Sequence, residues 1–287
     1  MTDSFSSNRK FKLKEIFSIN VPWITKIPVH QANCLLCKGR NIVPLNTFIL
    51  NGKRFYTVRC LTDGMIWLDP QPTEEFYHQL YTEHYHAGEP DDPLLEQATL
   101  DVHSDEKKLR EIAVLRLNEL EQFTERGRLL EVGFGSGHVL FEAQARGWDV
   151  VGIEVASSCV ENLRSKIPVI CTDLLEYKEQ QQSFDVIAMY SVIEHVHKPI
   201  AYLERAYELL KPDGILVLRL PDTPAQGPPA SLIAHLYHFN QSTISELLNR
   251  CGFKVLDIGS FALWKPKKYP GELWSMNVLS RKISSRN

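Results

Sequence analysis

No run of apolar residues in this chain approaches the roughly 20 residues of a membrane span. The first ten residues, Met1 to Lys10, also lack the apolar core of a secretory signal, so a cytoplasmic protein is expected. Charge of one sign is scarce: 32 Lys and Arg against 35 Asp and Glu leave a net charge of −3. That balance provides no electrostatic footprint for nucleic acid. A disulfide framework is missing as well, because Cys34, Cys37 and Cys60 cluster while Cys159, Cys171 and Cys251 are scattered. In a reducing compartment the first three suggest a metal and the others core packing. There is no internal repeat, and nothing in the sequence specifies an oligomeric state.

What is present is alternation. After Arg126-Gly127, strand patterns at 129–134, 149–154, 168–171, 184–190, 214–220, 253–261 and 272–279 are mostly separated by helical stretches. This predicts an α/β fold with a parallel sheet covered on both faces. The last two strands are joined through Pro266 and Pro270 without a helix, which favours an antiparallel pair at the sheet edge. Upstream, Phe48-Ile49-Leu50 and Arg54 to Val58 flank Asn51-Gly52, a hairpin signal because both central residues tolerate positive φ. Pro72-Thr73-Glu74-Glu75 opens a short helix, and 94–124 is a charged amphipathic stretch. The expected divisions are an extension at 1–29, a small β module with its helix at 30–86, a helical linker or lid at 87–126, and the α/β domain at 127–287.

The first α/β strand ends in Glu131-Val132-Gly133-Phe134-Gly135-Ser136-Gly137, and Glu154 closes the second. Glycines here turn a strand tightly into a helix and let a ligand approach the backbone; an acid about twenty residues on suits ribose hydroxyls. The third glycine of a dinucleotide motif is absent, its place taken by His138.

The segment instead resembles the first motif of class I S-adenosylmethionine-dependent methyltransferases, whose glycine turn lies against the cofactor's amino-acid and ribose portions. Four further segments are similar to that family in order and spacing. Cys171-Thr172-Asp173-Leu174 corresponds to the place of an adenine-facing acid and an apolar residue. Phe184 to Val196 carries a Glu194-His195 signature, Pro212-Asp213-Gly214 precedes another strand, and His235 to Phe253 resembles a histidine, aromatic, helix, Gly-Phe stretch. The resemblance covers roughly residues 127 to 279. It implies a Rossmann-like seven-stranded, mostly parallel sheet and a cofactor site at Glu131, Gly133, Gly135, Gly137, Glu154, Asp173, Leu174, Tyr190 and Ser191. His195 and His235 are the candidate catalytic bases for an O- or N-acceptor, with His238 third, and an orienting role for each stays open.

Cys34-Leu35-Leu36-Cys37 and Cys60-Leu61-Thr62-Asp63-Gly64 have the layout of a zinc ribbon, and similar modules precede methyltransferase domains. Asp63 stands where the last thiolate is usual, so the expected ligands of a structural zinc are Cys34, Cys37, Cys60 and Asp63, with His30 as a substitute. Altogether the sequence implies methyl transfer to a small-molecule acceptor such as a sugar or other biosynthetic metabolite. Competing readings are an RNA-modifying methyltransferase, using Lys10, Lys12, Lys14, Lys26, Lys38 and Arg40, and a non-catalytic cofactor-binding partner protein.

Overall fold

The computed structural model describes residues 14–19, 24, 26–84, 106–224, 233–264 and 273–283. The strands, in chain order, are β1 Lys14–Ile19, β2 Val29–His30, β3 Ile42–Leu50, β4 Lys53–Cys60, β5 Ile66–Asp69, β6 Gln71–Pro72, β7 Arg128–Val132, β8 Asp149–Glu154, β9 Val169–Cys171, β10 Phe184–Tyr190, β11 Leu210–Pro221, β12 Tyr237–His238, β13 Phe253–Trp264 and β14 Leu273–Lys282. The helices are α1 Glu74–Gln79, which runs into a π-helical turn at Leu80–His84, then α2 Glu106–Leu120, α3 His138–Ala145, α4 Ser157–Leu163, α5 Pro199–Leu209 and α6 Gln241–Arg250.

A seven-stranded sheet runs β13-β14-β11-β10-β7-β8-β9, parallel except for β14, which pairs antiparallel with both β11 and β13. This is the Rossmann-like sheet that the sequence implied. Its central strands β7, β8, β10 and β11 are buried on both faces, and period two sorts them. Leu130, Val132, Ile187, Met189, Leu216 and Leu218 enter one core, while Leu129, Val186, Ala188, Ile215 and Val217 enter the other. Helices α2 and α3 cover the second core through Ala113, Leu117, Leu120, Val139, Leu140 and Ala143. Strand order reverses beside β7, and ligands of open α/β sheets bind where that happens, beyond the carboxyl ends of the strands.

The amino-terminal strands form a second sheet, β1-β3-β4-β5-β12. Its hairpin turns at Asn51 and Gly52, with φ of 45° and 74°, as their types predict. The module is not self-contained. Its last strand, β12, comes from the carboxyl-terminal part, with Tyr237 opposite Trp67, and Trp67, Phe76 and Leu80 share one core with Leu236 and Ile187.

Several boundaries move. The strand expected at 129–134 stops at Val132 because Gly133 takes φ 69°. Thr243 and Glu246 have the spacing of a capping box, but the last helix starts earlier: Asn240 caps it, accepting from the Thr243 amide at 2.9 Å, while Thr243 Oγ1 accepts from the Asn240 amide at 3.0 Å. Asn outranks Thr at that position. Cys251 is buried as expected, but Cys171, at the end of edge strand β9, is exposed. Residues 85–105, the Pro266 to Pro270 connection, and Lys10 and Lys12 lie outside the described residues. No helix among the described residues is long and apolar enough to cross a membrane.

Candidate active site

A cleft of about 1280 Å3 opens at the carboxyl ends of β7, β8 and β10. Its first half is the glycine turn. At Gly135, φ is 51° and an added Cβ would meet nothing within 4 Å, so the backbone there is open to a ligand. Gly137 differs: at φ 72° a Cβ would lie 2.1 Å from Leu163 Cδ2, so this glycine serves the packing of α3 on α4. Glu154 is 6% exposed and accepts from the amides of Val155 at 2.8 Å, Ala156 at 3.2 Å and Gly135 at 3.2 Å. A carboxylate offers about four lone-pair sites, so Glu154 retains capacity for a hydroxyl. Below the turn, Glu131 is buried with Oε2 lacking a partner among the described residues. Burial pushes its carboxyl up to about 8; Arg116 works against that shift and Glu154 adds to it. An orphaned acid beneath an open glycine and a half-used carboxylate fit a nucleoside carrying an amino group.

Asp173 and Leu174 line the same half. Asp173 is already engaged, its carboxylate accepting from the Leu175 amide at 2.7 Å and from the Tyr202 hydroxyl. Tyr190 and Ser191 end β10 between the two halves. Ser191 takes φ 57°, a costly conformation for a serine, and its amide donates to the Arg219 carbonyl at 2.7 Å.

The second half gathers Tyr81, Glu194, His195 and His235. His195 Nδ1 lies 2.7 Å from the Tyr81 hydroxyl and 2.8 Å from the Ala234 carbonyl. The His195 and His235 ring centres are 4.7 Å apart. Burial lowers His195 to about 4, and burial followed by the neighbouring His195 and His238 holds His235 well below its ordinary value. Both imidazoles are neutral near pH 7. Glu194 is 1% exposed, and burial pushes its carboxyl up to about 8. The structure thus brings His195 and His235 together on one wall; His238 is buried in β12 behind them.

Sequence reasoning missed Arg116, Arg219, Tyr81 and Tyr202, all on the cleft wall. The Arg116 guanidinium sits 4.0 Å from the Tyr190 ring centre. Burial and then Arg116 disfavour the charge on Arg219. Arg219 carried a readable signal, a cation inside the otherwise apolar run Ile215-Leu216-Val217-Leu218-Arg219-Leu220. Tyr81 and Tyr202 carried none.

The cysteine cluster lies in the amino-terminal sheet. Cys34, Cys37, Cys60 and Asp63 place one ligand atom each within 4.8 Å of one another. Cys37 Sγ is 3.5 Å from Cys60 Sγ, and Cys34 Sγ is 3.2 Å from Asp63 Oδ2. A tetrahedron with zinc bonds of about 2.0–2.3 Å has edges of roughly 3.5–3.7 Å. His30 is not part of this set; its ring faces His197 at 6.0 Å.

Residues 104–258 match the family described as methyltransferase domain. A probable S-adenosylmethionine-dependent methyltransferase of Mycolicibacterium smegmatis is 25% identical over 139 residues, 45% of this chain and 52% of that protein. A ubiquinone biosynthesis O-methyltransferase of Cereibacter sphaeroides is 40% identical over 98 residues, 31% of this chain and 39% of that protein. The chain spans about half the length of the curated relatives it matches. The structure of 1,6-didemethyltoxoflavin-N1-methyltransferase from Burkholderia thailandensis, with 1,6-didemethyltoxoflavin and S-adenosylhomocysteine bound, has a TM-score of 0.57 at 19% identity, over 77% of this chain and 95% of that one. With more than half its length inside that family match and the seven-stranded sheet around the glycine turn, the chain belongs to the class I S-adenosylmethionine-dependent methyltransferases.

Proposed function

We propose that this protein methylates an oxygen or nitrogen of a small-molecule acceptor, using S-adenosylmethionine. The observation that carries the reading is continuity: one cleft runs from Gly135 and Glu154 to the imidazoles of His195 and His235. Glu131, Gly133, Gly135, Glu154, Asp173 and Leu174 would hold the cofactor, which supplies an electrophilic methyl group on sulfur, while Gly137 shapes the turn through its packing against Leu163. Tyr190 and Ser191 sit where the two ligands would meet. His195 and His235 present neutral lone pairs, suited to accepting a hydrogen bond from an acceptor O–H or N–H and orienting its attack. The likeness to ubiquinone biosynthesis O-methyltransferases favours oxygen and a small-molecule acceptor. Arg40, one of the cations an RNA reading would use, is committed to Asp69 at 2.8 Å and to the Ala32 carbonyl.

Isothermal titration with S-adenosylhomocysteine tests the cofactor site. Glu154→Ala should weaken binding about tenfold or more, since a hydrogen bond to a charged group contributes roughly 1.5–3 kcal/mol. Equal affinity overturns the assignment.

A structural zinc on Cys34, Cys37, Cys60 and Asp63 belongs to the same reading. Burial pushes the Cys34 thiol up, so loading the site releases protons. Its partners bind the catalytic half: Arg250 Nη1 of α6 donates to the Leu36 carbonyl at 2.6 Å, within the first knuckle. Metal analysis of the purified chain should find one zinc that Cys37→Ser removes; a metal-free protein counts against it.

A further inference from the structure

On the acceptor wall, Glu194, His195 and His235 place a carboxylate oxygen and two ring nitrogens within 4.8 Å of one another. We infer that these three side chains form a binding site for a divalent transition-metal ion, open toward the acceptor. What the ion does there rests on the acceptor reading above; whether it binds does not.

Glu194 carries the argument. It is 1% exposed, and apart from a contact with its own backbone neither carboxylate oxygen has a hydrogen-bond partner among the described residues. Its Oε1 is 3.7 Å from His195 Nε2, too far for a hydrogen bond. A buried carboxyl this poorly satisfied is costly to ionise unless a cation completes it. The tautomer of His195 agrees. The Ala234 carbonyl can only accept, so Nδ1 at 2.8 Å must carry the proton, which leaves a lone pair on Nε2, the nitrogen facing Glu194. Metal-ligating histidines are oriented in this way, by donating the other ring N–H to a carbonyl.

Backbone bonds fix the third ligand. The amides of Leu236 and Tyr237 donate to the Glu194 carbonyl at 2.9 and 3.2 Å, so the segment bearing His235 is stitched to the one bearing Glu194 and His195. Donors on a common ion with bonds of about 2.1 Å stand roughly 3.0–3.4 Å apart, so the set closes modestly, through side-chain torsions, when loaded. Two imidazoles and one carboxylate suit zinc, manganese, iron or cobalt and leave positions vacant for another ligand. All three side chains line the cleft. An acceptor hydroxyl or carbonyl oxygen placed there would be polarised, and the proton of a hydroxyl made more acidic would leave to bulk solvent. In the loaded state both histidine lone pairs are on the ion, so polarisation by the ion replaces hydrogen bonding by free imidazoles.

Mn2+ is the probe, because the thiolate cluster prefers softer ions. Titration of the full chain, followed by loss of the free Mn2+ paramagnetic resonance signal, should show one bound equivalent. Glu194→Gln and His235→Ala should each weaken it at least tenfold, while Cys37→Ser leaves it within about twofold. Electron spin-echo modulation on the unmutated chain should show coupling to imidazole nitrogen, a readout that needs no variant. No bound Mn2+, binding without nitrogen coupling, or binding unchanged in both cleft variants overturns the site. Mn2+ binding in a chain that fails to bind S-adenosylhomocysteine supports the ion site and removes the methyl-transfer reading instead.

Discussion

In the half of the cleft proposed for the cofactor, the polar groups come chiefly from two short stretches, residues 131–137 and 154–156, and Glu154 already accepts from three amides. The half proposed for the acceptor draws on Tyr81, Glu194, His195 and His235, from distant parts of the chain, and leaves the Glu194 carboxyl without a side-chain partner among the described residues. A nucleoside of fixed shape can be met by backbone geometry, which short motifs encode. A variable acceptor is met by side chains that tertiary packing assembles, here with the amino-terminal sheet as the clamp. Tyr81, beyond α1, reaches His195, and the Leu68 amide donates to the Leu236 carbonyl at 2.9 Å, one residue from His235.

If the halves are separable, the largest effect comes from the acceptor side and leaves the other untouched. His195→Ala should lower turnover by about two to four orders of magnitude, the usual range for a group that handles the acceptor's proton. Its S-adenosylhomocysteine affinity should stay within about threefold. Stopped-time methyl-transfer assays and titration calorimetry on the same preparation check this, and parallel losses in both would dissolve the distinction between halves.

The glycine turn can be split in turn. Gly137→Ala combines a left-handed backbone with the Leu163 contact, so it should cost about 2–3 kcal/mol of stability. Gly135→Ala meets open space, so it should cost about 1 kcal/mol yet abolish measurable cofactor binding, because the methyl enters the ligand's volume. Thermal unfolding beside calorimetry separates them. Equal destabilisation would mean that both glycines serve the fold.

Much of this was legible in the sequence, for identifiable reasons. The parallel strands read as apolar runs because both faces are buried, and period two then decides which core each residue enters, as Val186 and Ile187 show. Glu154 was legible because a motif fixes its distance from Gly135. The partnership of Glu194 with His235 was not, since it depends on how β12, some forty residues beyond Glu194, docks on β5, about 170 residues upstream of β12 in the chain. Nor was the shared core: Trp67 reads as part of a small module, and only the sheet shows that it pairs with Tyr237. The capping box at Asn240 was missed because two plausible caps lie three residues apart and spacing alone does not rank them.

The smallest expected effect sharpens the comparison from the cofactor side. Glu131 is held up at about 8 by burial, against 4.5 unperturbed. The sign follows. A raised carboxyl keeps its proton in the folded, ligand-free chain while the unfolded chain loses it, so its contribution to stability falls as pH rises from 4.5 to about 8. A ligand bringing an ammonium group beside Glu131 favours the carboxylate and expels that proton. Binding of S-adenosylhomocysteine near pH 7 should therefore release roughly one proton, and affinity should rise with pH by up to about tenfold per unit before levelling above about 8. Calorimetry in buffers of different ionisation enthalpy measures the release directly. Glu131→Gln should abolish both the release and the slope. If the slope survives in that variant, the proton comes from elsewhere in the cleft, and the orphaned oxygen of Glu131 does not face the ligand's amino group.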